Sequence, residues 1–348
     1  MLPKESLEEY FRLGFLVVPN VLSADEVDEC MNGFHEYLRD VCGVDVDDLE
    51  GTGQNLGKLS STGGAGGILD IFWADFKLKV AEHPRVVKIM SDLWQATYGS
   101  GEEDELWSHV HGPFDTERPL AAIDRVCVRL PDKISSSLGG SKGKGKQRGL
   151  QRHLAPHLDC CPPHRPGAGD DALPAGAKWR PIQGFVALTN DLEPDQGGFE
   201  CCPGHHKIFK SWAASRQWQA KPSKKGEEGE LVPPPCQGAF TPMRPTEDAD
   251  VLAQFRHVPC HAGDLVLWDN RLPHANSKEH RGDSPRQVVY IGLIPRVPVN
   301  LEYAREQRDR FASGRLPADF WQAQGADVRQ LCDYNFSDLG RDLMLLNE

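Results

Sequence analysis

Near the start of the chain, Ser6-Leu7-Glu8-Glu9 and Ser23-Ala24-Asp25-Glu26 each place a glutamate three residues after a serine, the pattern of a capping box, and predict a helix from each. In the second, Val27, Met31, Phe34 and Leu38 recur every three or four residues and form one apolar stripe that packs on a core. Residues 84 to 98 repeat the pattern through Val87, Met90, Leu93 and Trp94, with Gly99 as the stop. Further along the period shortens. Arg125 to Leu130, Leu154 to Asp159, Ile182 to Leu188, Gly198 to Cys202, Leu265 to Trp268 and Val288 to Ile294 are short strand-like runs separated by Gly and Pro, too irregular for βαβ repeats. Asn300 then opens a helical tail with Leu301, Ala304 and Phe311 on its apolar side. The expected fold is mainly β with helical additions, built on a double-stranded β-helix, a cupin-like jelly roll. We expect a single domain over 1–348. Its parts are a mainly helical stretch over 1–100, a jelly-roll core over 120–298 with flexible insertions near 131–150 and 219–250, and a helical tail over 299–348.

Residues 51 to 67 are rich in Gly, Ser and Thr, which predicts a mobile loop. They lack the G-x-x-x-x-G-K-[ST] order of a phosphate-binding loop. Residues 135 to 149 carry Ser135-Ser136-Ser137, Gly139-Gly140 and the cations Lys142, Lys144, Lys146 and Arg148. Two readings stay open for them, a solvated insertion or a cationic lid over an anionic substrate. Both segments are expected to be mobile and to flank the mouth of a pocket. Gln219 to Pro235 is a third polar excursion, rich in Pro.

Composition narrows the partners. With 39 Lys and Arg against 51 Asp and Glu the net charge is −12, a field that repels nucleic acid and anionic membranes, so neither is expected as a partner. A small-molecule substrate and a monomer or homodimer are expected. None of the ten cysteines forms a C-x-x-C pair. The adjacent pairs Cys160-Cys161 and Cys201-Cys202 would point to opposite faces of a strand, which argues against disulfides and for a reducing cytoplasmic location. No cationic leader, no run of about 18 apolar residues and no peroxisomal address at Leu346-Asn347-Glu348 is expected to direct the chain elsewhere.

The candidate chemistry centres on His157-Leu158-Asp159. On a strand the two polar side chains share a face with one residue between them, so they can occupy adjacent corners of a metal octahedron. His274, 115 residues beyond Asp159, follows the strand-like Gly263-Asp264-Leu265-Val266-Leu267-Trp268 and would complete the set. Two imidazoles and a carboxylate form the facial triad of non-haem Fe(II) oxygenases and leave three positions open. Arg286 begins the next apolar run. If the strands of His274 and Arg286 pair as a hairpin, the guanidinium lies by the same pocket and can grip a carboxylate bidentately. Asn276 and Gln183 are further candidates for polar contacts with a co-substrate.

Several segments together resemble the phytanoyl-CoA dioxygenase family of Fe(II)- and 2-oxoglutarate-dependent oxygenases. These are Tyr10 to Ser23, Phe185-Val186-Ala187-Leu188-Thr189-Asn190-Asp191, Gly197-Gly198-Phe199-Glu200, Pro203-Gly204-His205-His206-Lys207, and the block from Gly263 through His274 to Arg286. The resemblance implies Fe(II) on His157, Asp159 and His274, 2-oxoglutarate and dioxygen as co-substrates, and Arg286 on the distal carboxylate. It also implies hydroxylation rather than halogenation, because the carboxylate ligand Asp159 is retained. Phe185 stands where many members have Trp, His205 where Ser or Thr is usual, and Arg129 where Lys is common. Those departures leave the substrate open. Three other readings remain: a jelly-roll enzyme using Zn, Mn or Ni without 2-oxoglutarate, a nucleic-acid-modifying oxygenase, and a catalytically silent binding protein.

Overall fold

A computed structural model describes residues 1–100, 106–109, 111–139, 141–142, 146–147, 149–160, 178–215, 241–318 and 332–348. Eleven strands form two antiparallel sheets. They are β1 (Phe15–Val18), β2 (Ile68–Leu69), β3 (Val126–Arg129), β4 (His157–Leu158), β5 (Ile182–Ala187), β6 (Phe199–Cys201), β7 (Thr241–Pro242), β8 (Arg256–His257), β9 (Leu265–Asp269), β10 (His274–Asn276) and β11 (Arg286–Ile291). The first sheet has the order β1-β9-β5-β11-β3-β2 and the second β7-β4-β10-β6-β8.

Side-chain alternation gives the first sheet two apolar faces. One carries Leu265, Leu267, Ile182, Val186, Val289, Ile291, Val126 and Val128 and packs on the helices. These include α1 (Lys4–Leu13), α2 (Ala24–Cys42), α3 (Asp75–Ala81) and α4 (Pro84–Gln95). The other carries Val266, Trp268, Phe185, Ala187, Val288 and Cys127, and clusters with Phe199, Cys201 and Leu272 from the second sheet and its connections. Lys77 of α3 fastens the helical layer to the sheet: it is 1% exposed, and its ammonium donates to the carbonyls of Arg125 at 3.1 Å and Tyr290 at 3.0 Å. Burial lowers its pKa to about 8.

Several expectations need correction. Among the described residues helix outweighs strand and no barrel closes, so they form a mixture of helices and antiparallel sheets and not a mainly β fold. The Ser23 capping box is present with both of its hydrogen bonds. Ser6, in contrast, lies inside α1, which starts at Lys4 after Pro3. The tail helix α5 (Pro298–Ala312) begins before Asn300, whose side chain is spent on Trp179 and Pro295. The run Val288 to Ile294 breaks at Gly292, where a Cβ would sit 1.8 Å from the Ala122 carbonyl oxygen. Of Leu154 to Asp159 only His157–Leu158 is strand.

The Gly-rich residues 51 to 67 are mostly wound into a helical turn ending at Thr52 and a 3-10 helix over Gly53–Leu59, with Leu56 buried, so they are packed and not a loop. Ser135 likewise is 2% exposed and bonded to Gln151, which anchors the start of the Lys-rich segment. Lys144, Arg148 and the excursion Gln219 to Pro235 lie outside the described residues. The eight described cysteines are free thiols. Among the described residues no helix is long and apolar enough to cross a membrane.

Candidate metal centre

The ladder between β4 and β10 sets His157 directly opposite His274, with ring centroids 4.3 Å apart. Their Nδ1 atoms lie 2.8 Å from the Ala155 carbonyl oxygen and 3.0 Å from that of Leu272. A carbonyl only accepts, so each Nδ1 carries a proton, and each Nε2 is the atom turned toward Asp159. Asp159 stands between them: its Oδ1 is 3.5 Å from His157 Nε2 and its Oδ2 is 3.5 Å from His274 Nε2. The three groups offer ligand atoms within 4.8 Å of one another. Adjacent ligands of a first-row ion bound at about 2.1 Å are separated by about 3 Å, so this donor set fits a divalent metal with little movement.

The protonation states suit the same purpose. Burial, aided by His274, pushes the His157 pKa down to about 4 and keeps the imidazole neutral. For Asp159 burial opposes ionisation, but His157, His274 and Arg180 together outweigh it and hold the carboxyl well below the usual carboxylate range. Arg180 is placed by its neighbour. Trp179 exchanges two backbone hydrogen bonds with the Asn300 side chain, and Arg180 then reaches Asp124 at 2.5 Å and Asp159 at 4.0 Å. The turn that delivers His274 is fixed by a buried trio. Arg271 grips both oxygens of Asp269, at 2.8 and 2.7 Å, while the Tyr98 hydroxyl donates to Asp269 Oδ2 at 2.6 Å.

Arg286 departs from the expected hairpin. His274 lies in the second sheet and Arg286 in the first, because residues 277–285 cross from one to the other. Arg286 still shares the inner face: it alternates with Val288 and Tyr290 and stacks 5.0 Å from the Phe185 ring. It also has a resident carboxylate, Asp191, whose Oδ2 is 3.4 Å from its Nε, both side chains being almost fully buried. Another nitrogen, Nη1, faces Cys127 Sγ at 3.9 Å. Burial outweighs Arg286 and His257 at Asp191 and raises its pKa, so the pair is weaker than its spacing suggests. A Cβ on Gly198 would fall 1.9 Å from Asp191 Oδ2, so glycine is required there.

Asn276 lies two residues from His274 on β10 and bonds the Gly197 carbonyl at 3.4 Å. Gln183 lies opposite Trp268 in the ladder of the first sheet. Asp191, Arg180, Asp269 and Trp268 were not singled out from sequence. Asp191 lay within a quoted motif, but nothing local tied it to Arg286. Of the remaining histidines, His205, His206 and His280 are buried, His153 and His261 reach the surface, and His164 lies outside the described residues.

Fold and site together define a protein of two facing antiparallel sheets, backed by helices, with a buried His, Asp, His cluster suited to a divalent metal. The chain belongs to the Gig2-like family, whose model matches residues 164–341. That family differs from the one its motifs resemble. Among solved structures it is similar to hypothetical protein JW0805 of Escherichia coli, at 15% identity and a TM-score of 0.66, covering 99% of this chain and 81% of that one. It is also similar to GlcNAc Inducible Gene 2, GIG2 (DUF1479), of Candida albicans, at 17% identity and a TM-score of 0.64, covering 99% and 80%. No curated protein matches the chain.

Proposed function

We propose that the chain is an Fe(II)- and 2-oxoglutarate-dependent oxygenase that hydroxylates a small organic substrate in a jelly-roll chamber between its two sheets. The observation that carries this reading is the convergence of the Nε2 atoms of His157 and His274 and the ionised carboxylate of Asp159 within 4.8 Å of one another. His157, Asp159 and His274 would hold the metal on one face, which leaves positions for a chelating oxo acid and dioxygen. Iron bound there would supply the oxidising chemistry. The chain contributes orientation and dryness: carbonyls fix both imidazoles, Arg180 steadies Asp159, and Phe185, Phe199 and Trp268 keep water from the inner face. Arg286 would take the distal carboxylate, with Asn276 and Gln183 as lesser polar contacts. The motif likeness to phytanoyl-CoA dioxygenases supports the same assignment.

The Asp191 carboxylate on Arg286 favours a second reading, a metal enzyme of this fold that uses no dicarboxylate co-substrate. Incubating the purified protein with Fe(II), 2-oxoglutarate and oxygen separates the two. Oxygen-dependent succinate release, absent in Asp159→Ala, is expected. Metal binding with no succinate under any substrate mixture would select the second reading.

A further inference from the structure

The indole of Trp268 is 3% exposed, and its N–H has no hydrogen-bond acceptor. Its place is well determined. Trp268 pairs across the ladder with Phe15 on one side and Gln183 on the other, which turns its ring toward the second sheet. There the ring lies 4.7 Å from that of Phe199 and 5.1 Å from that of His274, and 6.0 Å from Phe185 of its own sheet. The ring that carries the orphan donor therefore packs beside the imidazole of His274, in the layer between the sheets.

A buried N–H almost always finds a partner, and leaving one unmet is costly. Packing alone makes no use of the polar atom of the indole. A lone water is a poor answer, because it needs two to four polar partners and the groups touching this indole are chiefly rings. A guest that carries an acceptor would meet the need. Close to His274, that guest is one held at the metal. Its acceptor is an anionic oxygen, which forms the stronger kind of hydrogen bond.

We propose that the Trp268 indole N–H donates to a carboxylate oxygen of an oxo acid held at the site of His157, Asp159 and His274. The proposal rests on the oxo-acid reading of the site and adds a donor that fixes how the acid lies against His274. It also predicts a trade: the same N–H that favours the complex burdens the empty protein.

The test compares wild type with Trp268→Phe, using Zn2+ in place of iron and N-oxalylglycine as the oxo-acid probe, by calorimetric titration and thermal melts. The variant should bind N-oxalylglycine about 10- to 100-fold more weakly, as loss of one charge-assisted hydrogen bond implies. Its Zn2+ affinity should be unchanged, and its melting temperature without ligand should stay within a few degrees, since relief of the unpaired N–H offsets the space left by the smaller ring. Unchanged N-oxalylglycine affinity overturns the donor role and leaves the oxo-acid reading standing. A fall in melting temperature together with both affinities marks Trp268 as packing only, which also overturns it. If wild type binds Zn2+ but no N-oxalylglycine, the oxo-acid reading falls and the donor role falls with it. A second measurement does not depend on how the variant folds. In wild-type protein labelled at its tryptophan indoles, one strongly protected N–H resonance should shift on adding N-oxalylglycine to the Zn2+ form, and no shift in any of them refutes the proposal.

Discussion

Replacing Asp191 by Asn should weaken the empty protein and strengthen its hold on 2-oxoglutarate. Asp191 Oδ2 and Arg286 Nε are 3.4 Å apart in a region closed to solvent, with side chains 2% and 3% exposed. At an effective dielectric of about 20 such a pair attracts by about 5 kcal/mol before desolvation is counted. Asp191 has a raised pKa, so desolvation consumes much of that attraction. Removing its charge leaves Arg286 buried without a full counterion, a loss of about 3 kcal/mol in the absence of ligand. A guest carboxylate on the other edge of the guanidinium would stand about 7 Å from Asp191 and be repelled by about 2 kcal/mol at the same dielectric. Relieving that repulsion corresponds to about 30-fold tighter binding. Asn keeps the shape of Asp, so packing is held constant. Chemical denaturation measures the first effect, and calorimetric titration of the Zn2+ form with 2-oxoglutarate measures the second. Unaltered or weaker 2-oxoglutarate affinity in Asp191→Asn would show that Asp191 does not compete for Arg286, and the assignment of Arg286 to the distal carboxylate would then be withdrawn.

His157→Ala should lower Zn2+ affinity by at least about 100-fold while leaving the protein folded, since it removes one of three ligand atoms; a wild-type titration curve in the variant would refute the metal site. Arg286→Lys should weaken 2-oxoglutarate by about tenfold or more with Zn2+ affinity unmoved, because a point ammonium cannot reproduce a forked contact; equal affinity in calorimetry counts against it. Burial pushes His206 and His280 each down to about 4 from 6.5, so on acidification the unfolded chain takes up protons that the folded chain refuses. Stability should therefore be full above pH 6.5 and fall as pH drops toward 4. A melting temperature unchanged from pH 7 to 4.5 would contradict this.

Local chemistry was legible in the sequence where neighbours along the chain are neighbours in space. The spacing of His157 and Asp159 needs only the two-residue repeat of a strand, and the Ser23 box needs only one helical turn. The box stands in the structure, and His157 and Asp159 lie side by side although the strand ends at Leu158. Glycine misled the reading of residues 51 to 67, since its freedom allows a packed 3-10 turn as readily as a mobile loop. Helix content was underestimated because α3 and the shorter helices leave too few turns for a clear period, and Lys77 breaks the apolar face of α3 while being fully buried.

The harder failure is the hairpin between His274 and Arg286, and its cause shapes the site. A polar turn between two apolar strands fits a hairpin and a crossover between facing sheets equally well, because hydrophobic alternation does not say which sheet receives the second strand. Here β10 sits between β4 and β6 while β11 sits between β5 and β3. The crossing places the candidate metal ligands on one wall of the layer and Arg286 on the other. A guest that chelates the metal and reaches Arg286 must then span the gap between the sheets, along the rings of Phe185 and Trp268. A hairpin would have put both contacts on one wall and left the first sheet as mere backing. With two walls, Trp268, Gln183 and Arg286 on the first sheet would select the guest while the proposed ligands His157, Asp159 and His274 would hold the metal. Substitutions on the first sheet should therefore alter oxo-acid affinity with little effect on metal affinity, whereas loss of a ligand on the second should abolish both.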